Sequence, residues 1–284
     1  MIQIKAFFHT ESSTISYVVF NDVDNEAVII DSVLDFDLAS GKTSTVLADQ
    51  QLAFVEKRKL SVQYIFETHA HADHLTAAHY LREKSGAKIA VSENVVAIQK
   101  TFSTFFNMNE TYLKCDGREF DCLLKDGQQL PFSDQTIGIM SVAGHTNDSI
   151  AIMIGEHVFV GDTLFMPDQG SARCDFPGGS ATTLFASVQR LHALADHYTL
   201  WMCHDYQPNG RKLAYSISVA KSRQTNIHIN ESTRQESFVK IRETRDKILP
   251  APRLIYPAIQ VNIRAGKLPE PQSNGKRYLQ LPIS

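Results

Sequence analysis

The sequence predicts an α/β domain on three observations. Short β-type runs alternate with helical stretches, the order strand, polar loop, helix, strand recurs, and the histidine- and aspartate-bearing loops follow directly on strands. Residues 2 to 8, Ile15 to Phe20 and Ala27 to Ile30, closing on Asp31, read as a meander. From about Thr43 to Arg58, the spacing of Val46, Leu47, Leu52, Phe54 and Val55 gives one helical apolar face, and Val62 to Phe66 follows as a strand. Leu75 to Glu83 has a helical pattern stopped by Gly86, and Lys88 to Val91 returns to strand. Residues 100 to 136 carry many polar and turn residues and read as surface loops with a short hairpin. Strands resume at Ile137 to Val142, Ile150 to Ile154 and His157 to Val160, then a helix at Ser180 to Ala195 and a strand at Thr199 to Met202. Lys212 to Lys221 and Glu236 to Leu249 read as helices, and the Pro-containing tail from Ala251 as chain ordered only by packing on the domain.

Composition narrows the function. Of 284 residues, 43% are hydrophobic and 21% charged, the balance of a soluble globular protein with a substantial core. A net charge of -3 without a Lys/Arg run argues against a nucleic-acid partner. The N-terminus alternates apolar and polar residues and soon reaches Glu11, which fits a first strand rather than a signal peptide. No stretch approaches the 18 or so apolar residues that a membrane span needs. Cys115, Cys122, Cys174 and Cys203 show no CxxC spacing, so a reducing cytoplasm is expected. A homodimer is compatible with the sequence.

His69, His71, Asp73 and His74 place three imidazoles and a carboxylate within six residues. These are borderline-to-hard ligands suited to Zn, Fe, Mn or Co. At this composition the HxHxDH pattern arises by chance in roughly one chain per thousand, so it is informative by itself. The reading places it on a loop and the first turn of a helix. His145 after Gly144, Asp162 after Gly161, and His204 after Cys203 each say little alone, because an isolated His or Asp at a strand end is usually a structural hydrogen-bonding residue or cap. Together, in this order and all at strand ends, they form a metal constellation.

The run HxHxDH, Gly-His-Thr, Gly-Asp-Thr-Leu-Phe and His-Asp-Tyr resembles the metallo-β-lactamase superfamily over about residues 1 to 225. The resemblance implies an αββα sandwich of two mixed β-sheets flanked by helices, with residues 226 to 284 a C-terminal helix and extended tail packed on the same domain. It also implies a first metal position at His69, His71 and His145, a second at Asp73, His74 and His204, and Asp162 shared between them. Within that superfamily the chain is similar to persulfide dioxygenases of the ethylmalonic-encephalopathy type. That similarity is carried by Thr68 to His74, Gly161 to Phe165, Ser171 to Gly179 and Asn262 to Pro271.

This resemblance implies one Fe(II) per chain on His69, His145 and Asp162, a facial set that leaves positions open for O2 and a sulfur substrate. His71, Asp73, His74 and His204 would then surround the iron without ligating it. Glutathione persulfide and O2 would give sulfite and glutathione, with Arg173 on a glutathione carboxylate, Asp175 on its amine and Tyr206 lining the pocket. Two alternatives stand beside it: a dinuclear Zn2+ hydrolase of glutathione thioesters resembling glyoxalase II, and a non-enzymatic sensor of metal or persulfide. Two departures from the family pattern lie next to ligands. Asn147-Asp148 stands where Pro-Gly is usual, and Cys203 where a glycine usually precedes the last histidine.

Overall fold

A computed structural model describes residues 1–283. One six-stranded sheet has the order β1 (Ile2–His9), β2 (Thr14–Asn21), β3 (Glu26–Ile30), β6 (Ser61–Phe66), β7 (Lys88–Ser92), β8 (Cys122–Leu124). Its first three strands form the expected antiparallel meander, and the later ones join in parallel. The second has the order β14 (Ser216–Ser218), β13 (Thr199–Trp201), β12 (His157–Phe159), β11 (Ile150–Ile154), β10 (Gln135–Ser141), β9 (Gln129–Phe132). Only its β12/β13 pair is parallel. Strands β4 (Asp35–Asp37) and β5 (Lys42–Ser44) make a separate ribbon.

The period-2 alternation of the strands builds three layers of core. Ile15, Tyr17 and Val19 on β2 face Ile137, Ile152 and Phe159 of the other sheet. Their neighbours Val18 and Phe20 point outward, against α1 (Val46–Arg58), α2 (Ala78–Ser85) and α7 (Ile255–Asn262). On the far side Val158 and Leu200 pack under α4 (Ala181–His192), α5 (Val219–Thr225) and α6 (Gln235–Asp246). The αββα sandwich of two mixed sheets is the fold.

Several elements depart from the sequence reading. Residues 43 and 44 are extended in the β4/β5 ribbon, and Val46, expected on the apolar face of α1, is exposed while Gln51 takes a buried place. The segment 75–77 is not helical, because Leu75 is bridged to Leu34 and the Thr76 amide is taken by the Asn262 side chain. Helix α3 (Val95–Phe105) stands partly where loops were expected; its Ile98 and Phe102 pack against Ile259 and Ile263. Residues 212–215 are irregular, and Ser216–Ser218 continue as an edge strand rather than a helix. The tail contains α7, whose Pro257 falls in its first turn, where a missing amide hydrogen costs no helical bond. Among the described residues no helix is long and apolar enough to cross a membrane.

Gly144 locks α4 to the loop that carries His145. Its φ is 142°, and a Cβ there would stand 2.4 Å from both the Leu184 Cα and N. Gly144→Ala is therefore expected to lower stability by about 1–3 kcal/mol, the usual cost of overpacking, read as a lower urea midpoint. An unchanged midpoint would mean that α4 can back away freely.

Candidate metal centre

The seven candidate ligands meet at one end of the sandwich. β6 runs into Thr68 and His69, β10 leads to His145, β12 to Asp162 and β13 to His204. This placement sets the ligand-bearing loops on rigid strand ends. One ligand atom each from His69, His145 and Asp162 lies within 4.8 Å of the other two; so do those of His71, Asp73 and His74. Asp162 Oδ2 is 3.9 Å from His69 Nε2 and 3.7 Å from His145 Nε2, while its Oδ1 is 3.3 Å from His204 Nε2. The carboxylate thus touches both halves of the constellation.

Each imidazole is held from outside by one nitrogen and presents the other inward. His145 Nδ1 donates to the Arg173 carbonyl (2.7 Å), His204 Nδ1 to the Ser13 carbonyl (3.2 Å), and His74 Nδ1 to Asp73 Oδ2 (3.1 Å). His69 Nδ1 meets the Thr68 hydroxyl at 3.1 Å, and that hydroxyl donates to Asp31. His71 is reversed: its Nε2 donates to Asp31 Oδ1 at 3.0 Å, with Glu67 Oε2 at 3.6 Å, and its Nδ1 faces the centre. These outer bonds assign the tautomers.

Among the described residues, ten buried side-chain nitrogen or oxygen atoms have no hydrogen-bond partner, and five belong to this cluster. They are His69 Nε2, His71 Nδ1, His74 Nε2, Asp162 Oδ1 and His204 Nε2. A bare, buried imidazole nitrogen costs free energy unless something accepts its lone pair, and a metal ion does so for several at once. The residues fit a metal centre on that ground. Electrostatics agree: burial, reinforced by neighbouring imidazoles, pushes His69 and His71 well below the usual histidine range and keeps them neutral. Burial opposes charge on His204 too, but the Asp162 and Asp73 carboxylates outweigh it and raise that histidine. Burial likewise raises Asp73 less than His74 and His204 lower it, so it stays an anion.

Four residues without a sequence-assigned role shape the ligand loop. Asn262 at the end of α7 donates to the carbonyls of His71 and His74 and accepts the Thr76 amide, each at 2.8 Å. Asp31 collects Thr68 N (2.7 Å), the Thr68 hydroxyl and His71 from a left-handed backbone at φ 52°. Glu67 accepts from the Thr76 hydroxyl at 2.6 Å, and burial together with Asp31 raises its acid well above the usual range. Asp148 accepts the Ala70 amide at 2.9 Å, between two ligands. Asn262 stood within a family-like motif, but the sequence offered no signal for what it holds.

Above the centre opens a cleft of about 620 Å³, a size suited to a small-molecule ligand. Asp73, His145 and Asp162 lie in its lining with Leu34, Phe36, Phe165 and Phe176. Tyr206 lines it too, its ring stacked on His204 at 5.5 Å. Arg173 lines the cleft and Asp175 does not: the two form a bidentate pair at 2.6 and 2.7 Å, and Arg173 also donates to the Pro250 carbonyl. Each therefore has a protein partner, rather than standing free for opposite ends of a substrate. Arg242, Arg245 and Arg253 also line the wall, and the sequence gave no means of choosing them. Burial pushes the Cys174 thiol up to about 12, so it remains protonated.

A family model described as "Metallo-beta-lactamase superfamily" matches residues 10–204. The chain is 43% identical over 290 residues to a "Probable metallo-hydrolase" of Burkholderia pseudomallei, covering 99% of this chain and 98% of that protein. It is 40% identical to "Glyoxylase B2" of Dictyostelium discoideum, covering 99% and 97%. At 28% identity it matches bovine mitochondrial "Persulfide dioxygenase ETHE1" over 93% of this chain and 89% of that one. The crystal structure of ETHE1 from Myxococcus xanthus superposes with a TM-score of 0.75 at 28% identity, covering 93% of this chain and all of that one.

Replacing Asn262 by Ala would leave an amide and two carbonyls of the ligand loop without their partner. The expected outcome is a loss of roughly 2–5 kcal/mol in urea unfolding and about 10–100-fold weaker metal retention against a chelator. Wild-type values for both would show that the loop holds its own shape.

Proposed function

This chain belongs to the metallo-beta-lactamase superfamily, and from that premise we propose that it is an iron(II)-dependent dioxygenase oxidising glutathione persulfide with O2 to sulfite and glutathione. The observation that carries the reading is the contact between the Ser171 to Gly179 loop and His145. The Arg173 carbonyl holds His145 Nδ1, and the Phe176 ring lies edge-on to the imidazole at 5.1 Å. This loop is one of the four segments that carry the resemblance to persulfide dioxygenases, and here it grips a candidate ligand. The likeness to ETHE1 proteins over 93% of the chain supports the same reading.

His69, His145 and Asp162 would hold one iron per chain, which when bound supplies the redox chemistry that couples O2 to the substrate's terminal sulfur. The remaining work falls to the chain's own residues. Leu34, Phe36, Phe165 and Phe176 give the cleft an apolar lining that limits bulk water around a reactive persulfide. Arg173 presents a guanidinium to which a glutathione carboxylate can bind beside or in place of Asp175, and Arg245 and Arg253 offer further cationic contacts along the wall. Asp73 accepts at Oδ2 from His74 Nδ1, and the same oxygen lies 3.4 Å from the bare His204 Nε2.

A dinuclear zinc hydrolase of glutathione thioesters is the second reading. It is favoured by the bare Nε2 atoms of His74 and His204, donors that a single iron on the other three residues leaves unused, and by the likeness to a protein named glyoxylase B2.

Oxygen uptake by anaerobically iron-loaded protein given glutathione persulfide separates the two. We expect uptake matched by sulfite; no uptake, together with thioester hydrolysis by the zinc form, would sink the dioxygenase assignment. Asp162→Ala is expected to lose iron and activity together, and full iron occupancy in that variant would refute its role as a ligand.

A further inference from the structure

The arginines of the cleft wall are not equally engaged. Arg173 pairs with Asp175 and Arg242 with Asp246, whereas Arg245, exposed on α6, has among the described residues a single side-chain neighbour, the ring of His228. Its Nη1 stands 2.9 Å from His228 Nε2. His228 itself is buried, and the chemistry above does not use it.

Which ring nitrogen carries the hydrogen decides what that contact is. The Ser171 amide approaches His228 Nδ1 at 3.0 Å, and a backbone N–H can only donate. Nδ1 is therefore the acceptor, and Nε2 bears the hydrogen. Turning the ring over would set a carbon against that amide and leave a buried donor without a partner. The ring also has little room to move. A Cβ on Gly170 would stand 2.1 Å from Nδ1, and the Asn226 side chain accepts the His228 amide while donating to the Gly170 carbonyl. Burial first, and then Arg242 and Arg245, lower His228 to about 4, so the ring is neutral near pH 7. A guanidinium has no acceptor to offer. Two N–H donors thus face one another, a repulsive contact that turns attractive once an anion lies against both. Tying the 170–171 turn to the segment before α6 accounts for Nδ1, but not for a cation brought up to the protonated nitrogen.

The geometry points to an anion subsite formed by His228 Nε2–H and the Arg245 guanidinium, whose ligand is a carboxylate of the sulfur-bearing substrate. That the carboxylate belongs to a glutathione derivative rests on the proposed function, in either of its two readings; the subsite itself does not. The placement suits a short thiol peptide. Ser171, whose amide fixes His228, and Arg173, whose carbonyl fixes His145, both line the cleft and are two residues apart, at most about 7 Å of chain. A substrate can therefore rest its carboxylate on the one side chain with its sulfur near the other. His228 supplies the fixed donor and Arg245 the mobile charge. An ester in place of the carboxylate keeps an acceptor but loses the charge that makes both bonds strong.

Calorimetric titration of zinc-loaded protein with S-methylglutathione, which neither reaction consumes, tests the subsite without turnover. Arg245→Gln should weaken binding about tenfold or more, the worth of a hydrogen bond between charged groups. The diethyl ester of the same ligand, with both carboxylates masked, should bind wild type that much more weakly and be indifferent to the substitution. Wild-type affinity in Arg245→Gln, or an equal loss for acid and ester, overturns the subsite. Long-range proton–nitrogen spectra supply a second readout. His228 should be protonated on Nε2 in the free protein, and acetate alone should move that N–H in wild type and not in Arg245→Gln. A neutral ring protonated on Nδ1 contradicts the arrangement. A wild type that ignores S-methylglutathione while acetate moves the His228 resonance counts against glutathione derivatives as substrates and supports the subsite; silence towards both sinks it.

Discussion

The fold is organised around one constraint: five imidazoles and two carboxylates must be buried side by side, with each ring's outward nitrogen bonded and its inward nitrogen left bare. The strands satisfy it by ending together. β6, β10, β12 and β13 each deliver a ligand from a different part of the chain. Fixing the outer nitrogens then requires partners from segments far away in sequence. The Arg173 carbonyl comes from a long loop, the Ser13 carbonyl from the β1/β2 turn, and Asp31 from the end of β3. Deleting any one of these would free a ring to rotate, and a rotated ring no longer aims its lone pair at the same point.

The ligand loop shows how a segment can be irregular and rigid at once. A helix beginning at Leu75 would take the His74 carbonyl as its first intrahelical acceptor, one of the groups that the structure uses to hold the loop. Instead Leu75 bridges to Leu34, and the Asn262 side chain occupies the Thr76 amide and the carbonyls of His71 and His74. The apolar pattern of 75–83 was legible and helical, but a competition for backbone groups 186 residues away was not. The tail was misjudged for a related reason. Ile255, Ile259 and Ile263 do recur at helical spacing, but Pro257 suggests a break unless its place in the first turn is known.

The candidate ligands were the most legible part of the site, because HxHxDH and the strand-end Gly-His and Gly-Asp pairs are local in sequence. Contacts between side chains were the least. Nothing in Arg173-Cys174-Asp175 distinguishes two separate substrate contacts from one bidentate pair at 2.6 Å, since the answer depends on backbone geometry across Cys174. The contact between His9 and Asp35 likewise depends on β4 passing beside the end of β1, an adjacency that neither segment encodes alone. The cations on the cleft wall were hidden by abundance. With 28 Lys and Arg in the chain, only the packing of α6 and the segment after it selects Arg242, Arg245 and Arg253.

Both departures from the family pattern modify the support of the centre while leaving its ligands intact. Asp148, where glycine is usual, reaches across to the Ala70 amide and ties the His145 turn to the loop holding His69 and His71. A glycine has no side chain to make that link, so here two ligand loops are coupled directly. Cys203, in place of a small residue, puts a thiol close to Asp31 and His71. Burial first, and then the Asp31, Asp162 and Asp73 carboxylates, push that thiol well above the usual range. Only a thiolate is a strong metal ligand, and a thiol kept protonated beside Asp31 adds bulk beneath His71 without adding a donor to the centre. The effect of both changes is to stiffen the ground on which His71 stands. A histidine clamped between Asp31 and Glu67, with Cys203 filling the space nearby, keeps its Nδ1 aimed inward whichever metal the other ligands select.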